Sequence, residues 1–266
     1  MKARGLQIGS AIAFVLLAVG TAAAQAPADS VQPLKLVNLE TPSVLGPGQY
    51  DVTAEFRGFG GSDKLAYGTL EANGGFGNGL GLVLRSSFSR VAGFSTSGGT
   101  VEYGGTDYEA QLKYAIPSVS GLALMGGFSA PNTPAHHTLF GTASALYSYP
   151  LQPVNLYAGA KGVFGSNTSL VALCLGFDYK FQADFHLVGD GALVVTGDNT
   201  YSTSTGNAER SSLYGVAVRY SPSQAGLLRW SVDLGVTNAL GGTSGFELTP
   251  SLGSTPGIYV AASVRF

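Results

Sequence analysis

Across about twelve segments with period-two patterning, the ionised side chains keep to one parity. The acids are Asp51, Glu55, Glu71, Asp107, Glu109, Asp178, Asp190 and Asp233. The bases are Arg57, Arg85, Lys113, Lys161, Lys180, Arg219, Arg229 and Arg265. A strand sends alternate side chains to opposite faces, so each segment has one apolar face and one ionic face. A Lys or Arg turned toward lipid at mid-bilayer costs roughly 2–4 kcal/mol. Eight acids and eight bases turned toward a shared interior can instead pair with one another. A small soluble barrel reverses the arrangement, with packed side chains inside and polar ones outside. The pattern predicts strands that wrap an ionic lumen and show an apolar face outward.

The alternation is clearest at the two ends of the chain. Tyr50, Val52, Ala54 and Phe56 oppose Asp51, Thr53, Glu55 and Arg57. Leu173, Leu175, Phe177 and Tyr179 oppose Cys174, Asp178 and Lys180. Thr138–Tyr149 is rich in alanine and aromatics, and its facing is ambiguous. The connections alternate in length. Gly77-Asn78, Pro117–Ser120, Pro150–Pro153, Gln182-Ala183 and Ser221–Gly226 are short turns rich in turn-forming residues. Val91–Gly105, Gly197–Glu209 and Asn238–Thr255 are long. Short turns on one side and long loops on the other describe a membrane barrel with periplasmic turns and extracellular loops. The expected fold is all-β, an up-and-down antiparallel transmembrane β-barrel of about twelve strands. Ten is the count if two weak segments merge or lie in loops.

The chain opens with Lys2 and Arg4, an apolar core from Ile8 to Gly20, and the small residues Ala22-Ala23-Ala24. This reads as a signal peptide, residues 1–24, cleaved after Ala24. The apolar run falls short of the ~18–20 residues that span a bilayer as a helix. Residues 25–48, with four prolines, read as a periplasmic extension or a segment tucked into the barrel mouth, and Lys35–Glu40 as a short strand. Residues 49–266 form the barrel. Its last strand alternates Ile258, Val260, Ala262, Val264 and Phe266 against Tyr259, Ala261, Ser263 and Arg265. A half-apolar closing strand ending on an aromatic, in an exported chain of similar strands, resembles bacterial outer-membrane β-barrels. That resemblance covers about residues 49–266. It implies a Gram-negative outer-membrane location and contact with lipid and lipopolysaccharide. It also implies recognition of the strand ending at Phe266 by the barrel-assembly machinery.

Composition agrees. Charged residues are 11% of the chain, against ~25% in average soluble domains. Glycine supplies 39 of 266 residues, about twice the usual ~7%. Removing Lys2 and Arg4 with the signal leaves 12 basic and 16 acidic residues, a formal charge of −4. Nucleic acid needs a basic footprint, which is absent. One cysteine, Cys174, excludes an internal disulfide, and with three histidines it offers no four-ligand zinc pattern. No cofactor is expected.

The remaining chemistry is thin. His136-His137, in a predicted extracellular loop, could supply a general base, but no Gly-x-Ser-x-Gly nucleophile accompanies them. His186 and Asp190 share one strand face and read as part of an interior hydrogen-bonded network. Gly197-Asp198-Asn199-Thr200 lacks the spaced acids of a Ca²⁺ loop. Asn167-Thr168-Ser169 matches a glycosylation acceptor that carries little weight in a bacterial-type chain. The chain is therefore read as a non-enzyme. The candidate pore-lining residues are Glu55, Arg57, Glu71, Arg85, Glu109, Lys113, Lys161, Asp178, Lys180, Asp190, Arg219, Arg229, Asp233 and Arg265. Those charges either line a narrow aqueous path or form a salt-bridged plug. About eight strands fill with side chains and 16–18 leave a channel, so twelve sits between. The leading function is a small porin-like channel for small solutes with weak ion selectivity. The alternative is a non-conducting structural or adhesin-like surface barrel acting through its three long loops.

Overall fold

A computed structural model describes residues 33–60, 65–90, 92–96, 99–133, 138–165, 169–202, 204–222, 228–251 and 254–266. The signal segment, His136-His137 and Asn167-Thr168 lie outside the described residues. The strands in chain order are β1 Tyr50–Gly58, β2 Ala66–Gly77, β3 Leu80–Ser89, β4 Ala92–Thr96, β5 Gly99–Tyr103, β6 Thr106–Ala115, β7 Leu122–Asn132 and β8 Phe140–Leu151. They continue with β9 Val154–Phe164, β10 Ser169–Gln182, β11 Phe185–Thr196, β12 Thr200–Tyr201, β13 Ala208–Glu209, β14 Leu213–Tyr220, β15 Arg229–Thr237 and β16 Gly257–Arg265. A single helical turn, α1, spans Ser244–Glu247.

Twelve of these strands form one closed antiparallel barrel, in which β1 pairs with both β2 and β16. Twelve is the larger of the two expected counts. β4–β5 and β12–β13 are separate two-stranded hairpins inside two of the long connections. Closure satisfies the backbone without a free edge, as a lipid-embedded sheet must. The β2–β3 turn shows how local sequence sets the register. Asn78 and Gly79 take φ 52° and 76°. Two positive φ values in a two-residue loop match the twist of the flanking strands, and Asn-Gly tolerates them best.

The parity read from the sequence holds in three dimensions. Val52, Phe56, Leu84, Leu112, Leu175, Val218 and Leu234 are exposed on the outer surface. Glu55, Arg57, Arg85, Lys113, Asp178 and Arg219, one residue away or in the same rows, are buried inside. Aromatic residues ring both ends of the apolar belt. At the short-turn end, periplasmic in barrels of this kind, Tyr50 meets Phe266 at 5.9 Å between ring centroids. Phe185 meets Tyr220 at 4.9 Å and Tyr220 meets Trp230 at 5.5 Å on the same rim. Phe88, Tyr108, Phe128, Phe164 and Tyr214 are exposed toward the opposite end.

Two segments occupy the lumen. Residues 33–45 enter from the short-turn end, anchored where the Gly48 amide donates to the Gly75 carbonyl at 3.0 Å. The connection after β15, described over residues 238–251, folds inward from the other end. Leu240, Thr243, Ser244, Phe246, Glu247, Leu248 and Ser251 are all buried in it. This corrects the expectation that Asn238–Thr255 faces the surroundings. Its Gly, Ser and Thr residues are small enough to lie against the inner wall. The Gly242 and Thr243 amides donate to Thr69 Oγ1 and Ser87 Oγ, both on lumenal positions, at 3.1 Å.

The interior is also not ionic throughout. Phe140, Leu146, Tyr157, Val163, Ala172, Cys174, Val188, Val194, Leu213 and Ala217 point inward from β8 to β14 and form one buried cluster. Leu36, Val37 and Leu39 of the N-terminal segment pack into it, with Ala239 and Leu248 of the inward loop. The expected ionic lumen is therefore ionic only in part. A buried apolar cluster thus shares the lumen with the charges, of which Lys161, Asp178, Asp190 and Arg219 project from the same strands, β9 to β14.

Candidate functional site

The ionic wall is built by β1, β2, β3 and β6, with Lys161 reaching across from β9. Cross-strand register stacks its members at one depth. Glu71 is opposite Arg85, and Arg85 is opposite Glu109. Arg85 stands at the centre. Its Nε donates to Glu71 at 2.6 Å, and its Nη1 donates to Glu40 at 2.6 Å and to Glu109 at 2.9 Å. Lys161 donates to Glu40 at 2.9 Å and pairs with Glu247. Lys35 meets Glu247 at 2.9 Å and Glu55 at 3.2 Å, and Arg57 meets Glu55 at 3.2 Å. Five acids and four bases therefore share one network, with every side chain below 10% exposed. Coulomb attraction in so dry a site is strong, and so is the cost of any charge left over.

Three members of that network, Lys35, Glu40 and Glu247, come from the inserted segments and not from strands. The sequence places Lys35 and Glu40 in an extension or mouth segment and Glu247 in a long loop, and none of the three is among the expected pore-lining residues. The available signal was the run Leu34-Lys35-Leu36-Val37-Asn38-Leu39, too apolar to lie bare in water after export. The likewise apolar Leu240, Phe246 and Leu248 flank Glu247.

The other predicted residues hold the N-terminal segment or line its exit. Asp190 Oδ2 accepts the backbone amides of Val37, Asn38 and Leu39 at 2.8, 2.6 and 2.9 Å. Its Oδ1 accepts Asn38 Nδ2 at 2.8 Å. A carboxylate gathering four donors is a strong latch, because charge-assisted hydrogen bonds are about twice as strong as neutral ones. Arg57 donates to the Val37 carbonyl at 3.1 Å and Arg219 to the Lys35 carbonyl at 3.0 Å. Lys113 donates to the Thr41 carbonyl at 3.0 Å. Arg219 also forks onto Asp233 at 2.8 and 2.7 Å. Nearer the mouth, Asp178 meets His186 Nδ1 at 2.6 Å and Arg265 meets Asp51 at 3.2 Å. Lys180 and Arg229 are exposed and form no ion pair among the described residues. These mouth residues, with Pro33 of the inserted segment, line a cavity of about 400 Å³.

The electrostatics of the inserted acids differ. Burial opposes the charge on Glu40, but Lys161 and Arg85 outweigh it and hold the carboxyl well below its ordinary range. Burial raises Glu247, Glu40 adds to the rise, and Lys161 and Lys35 only partly offset them. A raised carboxyl binds its proton more tightly in the native state. Its contribution favours folding below the unfolded value and is lost as pH climbs through the folded one. Glu40 behaves oppositely and stabilises above its unfolded value. Glu247→Gln is therefore expected to change the unfolding free energy by less than about 1 kcal/mol at pH 7. Any gain over the wild type should shrink as the pH falls below the ordinary carboxylate range. Urea midpoints across pH check both points, and a large loss at pH 7 would contradict them.

Among the described residues no group of three or more His, Cys, Asp or Glu is placed to hold a metal ion. No family model matches the chain, and no curated protein matches it. Solved structures do. The chain is similar to the NanC porin at 12% identity, covering 82% of this chain and 98% of that one, with a TM-score of 0.51. It is similar to an outer membrane channel from Pseudomonas putida F1 at 16% identity, covering 89% and 99%, with a TM-score of 0.49. It is similar to the KdgM porin at 13% identity, covering 82% and 98%, with a TM-score of 0.47. The likeness to the NanC porin is one of fold, a closed antiparallel β-barrel.

Proposed function

We propose that the protein is a small porin-like channel of the Gram-negative outer membrane, not an enzyme. It would pass small solutes with weak ion selectivity. The observation that carries this reading is the charge distribution. An apolar belt isolates the barrel in lipid, while acids and bases of nearly equal number face its interior. Balanced fixed charges favour neither cations nor anions strongly. In the structure the path is closed at mid-depth by residues 33–45 and by the inward loop. Export by the signal segment with cleavage after Ala24, and insertion guided by the strand ending at Phe266, complete the reading. The aromatic termini of the apolar belt support contact with lipid and lipopolysaccharide.

Single-channel recording of the refolded mature chain across a salt gradient tests it. Discrete steps with a reversal potential near zero are expected. Folded protein that gives no steps in any condition would favour the alternative. That is a structural or adhesin-like barrel acting through residues 91–105 and 197–209, the two long loops that keep their own hairpins.

A further inference from the structure

We infer that residues 33–45 are a withdrawable gate, latched by Asp190, and that the part of the lumen they fill opens when the segment leaves toward the short-turn end, the inward loop staying in place. This rests on the channel reading above. Four observations carry it.

First, the segment enters and leaves on the same side. It folds back on itself inside the lumen, with the Leu36 amide donating to the Leu39 carbonyl at 2.8 Å and the Thr41 amide to the Leu34 carbonyl at 3.0 Å. Its early end, Pro33, lines the mouth cavity together with Arg229 and Arg265. No part of it has to thread past another strand to come out.

Second, it is not part of the sheet. Among the described residues, no backbone hydrogen bond joins residues 33–45 to a barrel strand. The barrel closes without it. Among the described residues, its polar contacts with the wall run to wall side chains, those of Asp190, Arg57, Arg219, Lys113, Arg85, Lys161, Glu55 and Thr237. Withdrawal would break no ladder.

Third, a hinge stands at its exit. Gly46-Pro47-Gly48 joins the segment to β1, and Gly48 takes φ +74°, a conformation that favours glycine. A Cβ on Gly75 would collide with the Leu45 and Gly46 carbonyls, so the chain passes closely over the β2–β3 turn. Hinges of this kind are a few residues that absorb the backbone change.

Fourth, the latch is concentrated. Three consecutive amides converge on one oxygen of Asp190. An asparagine there offers one acceptor oxygen and replaces the other with a donor that the amides repel.

The chain carries its own reporter. Cys174 is the only cysteine, faces the lumen, is 5% exposed, and belongs to the cluster that Leu36, Val37 and Leu39 fill. A small water-soluble thiol reagent can reach it only when that cluster opens. The experiment uses the full mature chain in liposomes. Labelling of Cys174 is followed in the wild type, in Asp190→Asn, and in Val37→Ser/Leu39→Ser, which leaves every wall residue in place. Heat-modifiable gel migration confirms a folded barrel in each. Both variants are expected to label at least about tenfold faster than the wild type, because one weakens the charge-assisted latch and the other the apolar packing that holds the segment. Open probability in bilayers should rise with labelling. If Cys174 labels at the wild-type rate in both folded variants, the gate is wrong even if the protein conducts. Faster labelling with no conductance would leave the moving segment standing and overturn the channel.

Discussion

Arg85→Met should cost the barrel about 3–5 kcal/mol, the penalty for breaking a buried ionic cluster by removing one partner. Arg85 touches Glu40, Glu71 and Glu109 at once. Without it, five acids of the network face three bases at a depth where none of them is wetted. The guanidinium fork also matters, because it directs separate N–H groups at different carboxylates. Lysine brings a compact charge on a flexible stem and cannot hold three acids in fixed directions. Arg85→Lys should therefore recover only part of the loss. Removing surplus negative charge should recover more, so Arg85→Met with Glu71→Gln and Glu109→Gln should be markedly better than Arg85→Met alone. Urea midpoints of the refolded proteins, with heat-modifiable migration as the measure of folding, decide this. A wild-type midpoint for Arg85→Met would mean that the cluster is hydrated and the interior open at this depth.

The contrast with Glu247→Gln has the same physical origin. Arg85 is the cation that the cluster can least lose, whereas Glu247 is an acid whose charge burial already opposes. A buried ion pair is weak support for stability, and a stranded charge is a strong threat to it.

The parity of the strands was legible because lipid penalises only one mistake. A charge on the outer face is costly, so the outer positions of β1, β3, β6, β14 and β15 carry almost nothing but apolar side chains, and a count by twos finds them. β8 resisted because both of its faces are uncharged. Phe140, Thr142, Ser144 and Leu146 point inward, and Ala143, Ala145 and Tyr147 point outward. With apolar residues on each side the period-two contrast vanishes. What fills the barrel was not legible for another reason. Lumen contacts join residues more than a hundred apart, such as Asn38 with Asp190 and Lys161 with Glu40. Nothing in local periodicity encodes them. The inward loop was misread through its length, and its Gly, Ser and Thr gave no warning because they suit an exposed connection and a tight interior equally well. Its three large apolar residues were the better guide.

Leu175→Arg tests the lipid face on which the whole reading depends. Leu175 sits midway along β10, is 69% exposed, and lies above the aromatic rim of Tyr179 and Phe181. In a soluble protein, Arg in place of an exposed Leu would be nearly silent. In a bilayer the guanidinium must either enter hydrocarbon or drag water and headgroups to itself, at a cost of roughly 2–4 kcal/mol near the midplane. The neighbouring position gives the matched control. Cys174, one residue earlier, faces the lumen instead, so Cys174→Ser introduces polarity on the other side of the same strand. It should cost only about 1–3 kcal/mol, from one buried hydroxyl among apolar neighbours, without depending on lipid. Chain-length dependence separates the two. Moving from thick to thin bilayers brings the headgroups closer to position 175 and should reduce the Leu175→Arg penalty, while leaving Cys174→Ser unchanged. Urea unfolding in vesicles of two acyl-chain lengths reads both effects. A silent Leu175→Arg in both bilayers would place that face out of the hydrocarbon and remove the basis for a transmembrane barrel.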